Sequence, residues 1–517
     1  MTAVEAEADQ VAPVLMQPTG DLVGSTLPRR WVRPAVPMGD SDCPCGVCGL
    51  TPENSLGYAV IAFARYLGLK LIPWQAFVLI HGMELRPDGL PRFRLVLLIV
   101  SRQSGKTTLC ALLAAFWLFV EQVPLVWGVS AKLSTAKSAW EKAVKLARSD
   151  PDLKQLIGSV QTKNGDETLS LVNDCQYKIS AANDDAGRGF TVHRLIMDEL
   201  RRQRSWSAYS AAYSAMRAVP DGQCWAISNA GVADSVVQNT LREQALAQLE
   251  RDQVDDPIGL FEWSAVGMGP DGGDDVDVAD RGAWKASMPS LGYTITERTV
   301  LSDLSTDPEP VFLSESLCIP VQSLDAWRTK FAGRWAGTVD PESFAVGQVT
   351  IGVDIARDRM SASIGVCGDR EDGLTHLEDI ETFEDGIEGL QERVIEIAKN
   401  QKAPVVLDAY GPAAALVVPL QNAGVKVIGA SGNDVCAGCV ALADAVLANP
   451  QTVRTRGRPD LEKAVLNVER LWRGDQFRWK RSDDEGVSVA PLYAVTLAYL
   501  HHRKIKKPKA RPRVWGF

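Results

Sequence analysis

The sequence lacks the features that would place the protein in a membrane or in a secretory pathway. It has no run of about 18 consecutive apolar residues, so no membrane-spanning helix is predicted. Its N-terminal segment is acidic, and no basic stretch leads into an apolar one, so we expect no signal peptide. Ten cysteines in 517 residues, without such signals, are expected to be reduced thiols in a cytosol.

Net positive charge is also absent, since the formal charge is −9. An even distribution of that charge would argue against a nucleic-acid partner, but the distribution is uneven. Residues 501–513 contain seven basic residues and no acid, whereas residues 271–280 are acidic and rich in glycine. Local patches therefore decide whether DNA is bound. We expect the basic tail to be disordered and to contact DNA or an acidic protein surface.

The length exceeds what a single hydrophobic core supports, so two or three domains are expected. Residues 1–52 are rich in proline and glycine and show no periodicity, which predicts a mobile arm. A first domain is predicted over residues 53–340 and a second over 345–502. The basic tail then covers residues 503–517.

A buried-strand pattern at Leu95–Val100 is followed by a turn that ends in Gly-Lys-Thr and by a helical pattern at Leu109–Phe119. This order suits a triphosphate, because backbone N–H groups and a helix N-terminus cradle phosphate oxygens. Lys106 would neutralise the β- and γ-phosphates, and Thr107 can hold Mg²⁺. Val100 stands where the strict pattern has its first glycine. The predicted nucleotide-binding residues of this loop are Arg102, Gln103, Ser104, Gly105, Lys106, Thr107 and Thr108.

A second apolar strand pattern, His193–Met197, ends in two acids, Asp198 and Glu199. In nucleotide hydrolases a strand-end aspartate completes the Mg²⁺ shell, and an adjacent glutamate can orient the attacking water. Together with the phosphate loop, this pair predicts an ATPase.

Three further positions of the first domain each allow two interpretations. Gln75 can read adenine through its amide, or Trp74 and Gln75 can simply start a helix. Ser228 and Asn229, at the tip of the next strand, can sense the γ-phosphate or form an ordinary turn. Arg188 lies between glycines and can complete the charge of phosphoryl transfer, or only solvate a loop.

Strands and helices alternate through this domain, which predicts a parallel sheet wound by helices on both faces. Further strands are predicted at Leu125–Ser130, Tyr177–Ala181 and Cys224–Ser228, and a helix at Thr135–Ala147. The ligand of such a sheet lies at the carboxyl ends of its strands, where the phosphate loop and Asp198 are expected.

The second domain has a strand pattern like that of RNase H. Its predicted elements are strands Gln348–Asp354, Ser361–Cys367, Leu374–Ile380, Pro404–Asp408 and Gln476–Lys480, then a helix at Pro491–His501. Asp354 and Asp408 end two of these strands, and the acids 483–485 precede the closing helix. A converging set of carboxylates would hold one or two Mg²⁺ or Mn²⁺ ions for attack on phosphodiesters.

Two cysteine clusters have the C-x-x-C spacing of metal sites, one at Cys45 and Cys48 with Cys43 beside it, the other at Cys436 and Cys439. Neither has a second pair nearby, so small buried thiols are expected in preference to zinc.

Taken together, these motifs make the chain similar to the large terminase subunit of tailed bacteriophages, over about residues 54–502. The similarity rests on Trp74-Gln75, the phosphate loop at Arg102–Thr107, Met197-Asp198-Glu199, Ser228-Asn229, Asp354 and Asp408. Helicases share the first half of this set and not the second.

The resemblance implies a P-loop ATPase domain followed by an RNase H-like nuclease domain, both α/β. It implies ATP-driven movement of double-stranded DNA into a procapsid and cutting of concatemeric DNA. The implied cofactors are ATP and Mg²⁺ at the ATPase site and Mg²⁺ or Mn²⁺ at the nuclease site. Implied partners are double-stranded DNA, the portal protein, the small terminase subunit and further copies in a ring, with five as the expected number. The implied location is the host cytoplasm and, transiently, the portal vertex, but not the mature virion.

Family knowledge also implies that Ser228-Asn229 couples hydrolysis to movement and that Arg188 acts across a subunit interface. The third nuclease acid departs from the family pattern, because Ser488-Val489-Ala490 precedes Pro491 where relatives often have an acid. Asp484 is predicted to be the third metal ligand of the nuclease site, with Asp483 and Glu485 as alternatives. Two other functions stay open: a DNA translocase or helicase without nuclease activity, and a structural scaffold with decayed sites.

Overall fold

The computed structural model describes residues 15–163, 166–182, 189, 191–203, 206–251, 257–266, 276–321, 324–481 and 487–505. The chain divides into two compact units, Met1–Leu324 and Asp325–Phe517. The predicted boundary at residues 340–345 is therefore wrong. Helix Ala326–Ala336 belongs to the second unit, because its Phe331 and Trp335 are buried in that unit's core.

The first unit contains alternating helices and strands. In chain order they are β1 (Arg30–Trp31), α1 (Gly57–Tyr66), α2 (Pro73–Gly82), β2 (Leu95–Ile99), α3 (Lys106–Phe119), β3 (Leu125–Ser130), α4 (Leu133–Ser149), α5 (Pro151–Gln155), β4 (Ile157–Gln161), β5 (Thr168–Leu171), β6 (Gln176–Ala181), β7 (Arg194–Asp198), α6 (Trp206–Ser214), β8 (Gln223–Ser228), α7 (Val236–Arg251), β9 (Ile258–Glu262), α8 (Arg281–Ser287), α9 (Glu297–Thr306) and α10 (Glu309–Glu315). A short 3₁₀ helix, Leu200–Arg202, follows β7.

The strands of this unit form one sheet in the order β1-β9-β2-β8-β7-β3-β6-β5-β4. From β9 to β6 the neighbours are parallel, and the outer strands pair antiparallel. The predicted parallel sheet is confirmed. Because β2, β8 and β7 are adjacent, the loop after β2, the Ser228 end of β8 and the Asp198 end of β7 meet at one edge.

The N-terminal segment is part of this unit and not the mobile arm that its composition predicts. Residues 1–14 lie outside the described residues, but β1 pairs with β9 and Leu15 bridges to Leu71. Val32, Cys48 and Leu50 are buried in the core of the unit. Their burial removes apolar surface from water, and this fixes a segment that proline and glycine content alone marks as irregular.

The second unit has its own helices and strands. They are α11 (Ala326–Ala336), β10 (Val346–Ile355), β11 (Ala362–Asp369), β12 (Thr375–Phe383), α12 (Leu390–Gln401), β13 (Val405–Asp408), α13 (Val417–Asn422), β14 (Val427–Ala430), α14 (Gly432–Leu447), β15 (Val453–Arg454), α15 (Pro459–Leu466), β16 (Arg470–Arg473), β17 (Gln476–Trp479) and α16 (Ala490–Ile505). A 3₁₀ helix, Pro412–Leu416, follows β13. Across the described part of the chain, no helix is long and apolar enough to cross a membrane.

The main sheet of this unit has the order β14-β13-β10-β11-β12-β15, and β16 with β17 forms a separate pair. β10 and β11 are antiparallel, whereas β10, β13 and β14 are parallel. The predicted strands of this domain are confirmed, although β17 lies outside the main sheet. The predicted tail begins inside α16, because this helix continues to Ile505; residues 506–517 lie outside the described residues.

Helix α16 lies directly on the backbone of β10 and β11. A Cβ atom on Gly352 would lie 1.9 Å from the carbonyl oxygen of Ala494, and one on Gly365 would lie 2.6 Å from the amide nitrogen of Val495. The two glycines are register partners on neighbouring strands. Because these two residues have no side chain, α16 can pack directly against β10, the strand that carries Asp354, and against β11.

Candidate active sites

The loop between β2 and α3 has the shape of a phosphate-binding turn. Gly105 has a φ of 88°, in the left-handed region that glycine adopts without a steric penalty, and α3 begins at the next residue. The hydroxyls of Ser101 and Ser104 are 2.9 Å apart, and Ser290 Oγ donates to the carbonyl of Ser104 at 3.1 Å. The loop is therefore shaped by contacts within the unit itself.

Lys106 lies at the centre of this loop and is bonded to protein oxygens. Its Nζ donates to the carbonyls of Val100 at 3.0 Å and Ser101 at 2.9 Å, and also to Asn229 Oδ1. Burial lowers the pKa of Lys106 to about 8, against the opposing effect of nearby acids. Val100 contributes its carbonyl, so the residue that departs from the strict motif still supports the lysine.

Gln75 reaches the same loop from α2. Its Nε2 donates to the carbonyl of Gly105 at 3.3 Å, and its Oε1 accepts from the amide of Ile72 at 3.0 Å. Trp74 and Gln75 thus lie in the first turn of a helix, and Gln75 also contacts the phosphate loop. Contact with adenine stays a prediction.

Asp198 and Glu199 lie at the carboxyl end of β7, as predicted. Burial raises the pKa of Asp198 to about 6, while nearby Lys106 opposes the rise. The Glu199 amide donates to Asp198 Oδ1 at 2.9 Å, and Glu199 itself has a left-handed φ of 55°. Its carboxylate pairs with Arg202. A non-glycine residue in this region carries local strain, a feature that concentrates at functional sites.

Glu315, which sequence reasoning did not identify, connects the parts of this site. Its Oε1 accepts from Arg201 Nη2 at 2.6 Å, and its Oε2 accepts from Asn229 Nδ2 at 2.6 Å. The amide of Arg102 donates to its carbonyl at 2.8 Å. Glu315 is the last residue of α10, where the helix dipole disfavours negative charge. Arg201 and Asn229 offset that cost.

Ser228 joins the same network, because its Oγ accepts from the Arg201 amide at 3.1 Å. The hydrogen bonds therefore run from Lys106 through Asn229 and Glu315 to Arg201, and from Arg201 to Ser228. No spacing in the sequence signals this connection, because Glu315 lies 86 residues beyond Asn229.

The remaining predicted residues of the first site have different outcomes. Thr107 follows Lys106 in the first turn of α3, and Thr108 Oγ1 accepts from Lys142 Nζ at 2.5 Å. Gln103 has a left-handed φ of 58° in the loop. Arg188 lies outside the described residues, so its role stays a prediction.

In the second unit, Asp354 and Asp408 lie side by side. Ile351 of β10 pairs in parallel with Val405 of β13, and each aspartate follows three residues later in its strand. Both carboxylates are buried, and both contact Arg481. The Nη2 atom of Arg481 donates to Asp354 Oδ1 at 2.5 Å, and its Nη1 atom donates to Asp408 Oδ2 at 3.5 Å. The two acids therefore face one position for a cation.

Burial dominates the electrostatics of Asp354. It raises the pKa of Asp354 to about 6, although the Arg481 guanidinium opposes that effect. Asp354 and Asp408 in turn hold the pKa of Arg481 above its usual value. The guanidinium carbon also lies 4.0 Å from the centre of the Tyr493 ring, a cation–π contact. Arg481 was not identified from the sequence, where nothing separates it from other basic residues.

The third predicted acid, Asp484, and its rivals Asp483 and Glu485 lie outside the described residues. Ser488 lies two residues before the closing helix α16, and its Oγ accepts from Ser361 Oγ at 2.6 Å. A further buried acid, Asp379, accepts from the hydroxyls of Ser363 and Thr382, and burial raises its pKa.

Comparison with known proteins identifies the fold. No protein-family model and no curated protein matches the sequence. Among solved structures, the HK97 bacteriophage large terminase is 16% identical; the match covers 86% of this chain and 100% of that one, with a TM-score of 0.51. The large terminase of a thermophilic bacteriophage, in complex with ADP, is 12% identical over 78% and 93% of the two chains, with a TM-score of 0.33. The chain thus has the fold of a phage large terminase, with a P-loop ATPase fold followed by an RNase H-like nuclease fold.

Proposed function

We propose that this chain is the large subunit of a phage terminase, which moves double-stranded DNA into a procapsid with ATP and cuts concatemeric DNA. One observation supports this most directly. A lysine-centred phosphate loop beside Asp198-Glu199 is followed, in the same chain, by a unit in which Asp354 and Asp408 share one cation position. A helicase or a simple translocase needs only the first of these sites.

At the ATPase site, the proposed roles follow from the positions of the side chains. Lys106 would contact the β- and γ-phosphates, Thr107 and Asp198 would hold Mg²⁺, and Glu199 would orient the attacking water. The residues fit a bound metal nucleotide, because a buried lysine and a buried carboxylate lie at the same sheet edge. Mg²⁺, when bound, neutralises phosphate charge. Arg188 is proposed to act on the site of a neighbouring subunit.

At the nuclease site, Asp354 and Asp408 are proposed to hold Mg²⁺ or Mn²⁺, with Asp484 as the third ligand. The residues fit a metal, because both carboxylates already face the Arg481 guanidinium from adjacent strands. Carboxylate oxygens are the ligands that these ions prefer. The metals, when bound, lower the pKa of water and stabilise the leaving oxygen.

Further proposals concern partners and place. Double-stranded DNA, a portal protein, a small terminase subunit and a ring of identical subunits are the proposed partners, at the portal vertex in the host cytoplasm. Arg503 and Lys504 begin the basic stretch at the end of α16 and are proposed to contact DNA.

The test of the proposed function is a single purified preparation of the full chain assayed for two activities. We expect ATP turnover that DNA or a portal protein stimulates, and plasmid cutting that requires Mg²⁺ or Mn²⁺. Turnover without cutting would favour the translocase or helicase alternative. The absence of both activities would favour a scaffold with decayed sites.

Coupling between hydrolysis and movement is proposed to use the network of Lys106, Asn229, Glu315, Arg201 and Ser228. Asn229 contacts both the phosphate-loop lysine and Glu315, so a change in the charge near Lys106 is transmitted through hydrogen bonds to the end of α10. Networks of this kind are stronger in a buried setting than in water.

The substitution Glu315→Gln tests this coupling. It removes the charge that Arg201 and Asn229 share, so we expect nucleotide affinity within about threefold of wild type and DNA packaging reduced by about tenfold or more. The matched control is Glu309→Gln, an exposed glutamate at the other end of α10. Nucleotide binding is measured with a fluorescent ATP analogue and packaging by nuclease protection of DNA. Normal packaging by Glu315→Gln would remove this residue from the coupling route.

A further inference from the structure

A cluster of three cysteines and one histidine lies in the N-terminal part of the first unit. The sulfur atoms of Cys43, Cys45 and Cys48 and a ring nitrogen of His81 all lie within 4.8 Å of one another. His81 Nε2 is 3.5 Å from Cys43 Sγ and 3.9 Å from Cys45 Sγ. The three cysteines are free thiols, and Cys43, Cys48 and His81 are buried.

The two separations from His81 Nε2 are close to those of a tetrahedral metal site. With metal–sulfur bonds of about 2.3 Å and a metal–nitrogen bond of about 2.0 Å, a tetrahedron places sulfur about 3.5 Å from nitrogen and sulfur atoms about 3.8 Å apart. The observed distances of 3.5 and 3.9 Å to His81 Nε2 need little adjustment to meet that geometry.

The backbone around the cysteines brings their sulfur atoms together. Gly46 and Gly49 have φ values of 72° and 67°, which let the chain turn tightly between and after the cysteines. These turns leave the three sulfur atoms within 4.8 Å of one another.

His81 is directed at this cluster by its surroundings. It lies in the last turn of α2, and the rings of Trp31 and Phe77 pack on it with centroids 4.9 and 4.2 Å away. Its Nδ1 is buried and has no hydrogen-bond partner in the part of the chain that the structure describes. The sulfur cluster therefore supplies the close polar contacts of the imidazole.

We propose that Cys43, Cys45, Cys48 and His81 Nε2 bind one structural zinc ion. Zinc is the expected metal, because a tetrahedral site of three thiolates and one imidazole suits its borderline softness. The role is structural, because four protein ligands leave no open position for water or substrate. Simple thiols were expected at this cluster because a second cysteine pair is missing. His81, from another part of the sequence, supplies the fourth ligand instead.

Such a zinc ion would fasten the segment that contains the cysteines to the last turn of α2. The first turn of the same helix holds Gln75 against the carbonyl of Gly105 in the phosphate loop. Loss of the metal would therefore loosen one wall of the nucleotide site. The proposal stands independently of the proposed motor function, because metal content is measured without any activity.

The experiment measures the zinc content of the full chain, purified without chelators, by inductively coupled plasma mass spectrometry. We expect about one zinc ion per chain in the wild type and a loss of at least half of it in Cys45→Ser, at the least buried of the three cysteines. The matched control is Cys436→Ser, from the other C-x-x-C pair, which lies in α14 and should keep the wild-type zinc content.

Cobalt substitution of the wild type keeps the proposal testable if Cys45→Ser fails to fold. Tetrahedral cobalt bound to thiolates gives intense visible bands and a sulfur-to-metal charge-transfer band, and both should appear and then be displaced by zinc. A wild-type protein without zinc and without these bands would overturn the proposal. So would a disulfide among the three cysteines, or a Cys45→Ser protein with full zinc content.

Discussion

Glu199→Gln is expected to reduce the rate of ATP hydrolysis by about 100-fold or more while ATP still binds. Glutamine keeps the size of the side chain at the end of β7 but loses the charge that would orient and polarise water. Lys106→Ala should also abolish hydrolysis, but by weakening binding, because it removes the cation at the centre of the phosphate loop. Steady-state ATP turnover together with nucleotide affinity separates the two effects.

The matched control for Glu199→Gln is Arg202→Gln. Arg202 pairs with the Glu199 carboxylate, so a purely structural role for that ion pair would make the two substitutions equally harmful. We expect Arg202→Gln to keep most of the activity, because exposed ion pairs contribute little to stability. If Glu199→Gln hydrolysed ATP at the wild-type rate, the water-orienting residue would have to be another one.

Asp354→Asn is expected to reduce DNA cutting by about 1,000-fold, which corresponds to several kcal/mol of transition-state stabilisation. ATP hydrolysis should stay near the wild-type rate, because Asp354 belongs to the second unit, which has its own cores. Asp408→Asn should have the same effect. Plasmid nicking in buffer with Mg²⁺ or Mn²⁺ is the measurement.

The control is Asp372→Asn, an exposed acid in the turn between β11 and β12 that pairs with Arg370. It should cut DNA at the wild-type rate. For the third ligand, Asp484→Ala should be as harmful as Asp354→Asn, and Asp483→Ala milder. Full cutting by Asp354→Asn would mean that the second unit is no two-metal nuclease.

The elements that position both candidate sites were predictable because each depends on local sequence. The apolar runs before Lys106 and Asp198 form β2 and β7, and the glycine at 105 marks the turn. Asp354 and Asp408 end strand patterns that the structure places next to each other. Strand ends and turns are coded by neighbours in the chain, and parallel strands bring their carboxyl ends to one edge.

The contacts that were missed are all between residues far apart in the sequence. Glu315 joins Asn229 and Arg201 from the end of α10, Arg481 reaches the aspartates from beyond β17, and His81 meets the cysteines from α2. None of these residues stands in a pattern that differs from an ordinary helix or loop. Only the packing of the chain reveals which side chains lie together.

The mobile arm was predicted for a related reason. Proline and glycine content indicates irregular backbone, but irregular backbone is not the same as mobility. Arg29 donates to Ser264, and Val32 and Leu50 are buried among residues of later elements. Composition cannot show whether a segment without helices or strands finds an apolar surface to cover.

The close seat of α16 on Gly352 and Gly365 has a genetic consequence. Every single-base change of a glycine codon that alters the residue introduces an amino acid with a Cβ atom, and at these two positions that atom would fall on the helix backbone. Only synonymous changes at the third base of each codon leave the packing intact. At glycines 373 and 424 there is space for a Cβ atom, so only the left-handed backbone limits substitution. At codons 352 and 365, by contrast, we expect a lineage that carries this protein to accumulate only silent changes.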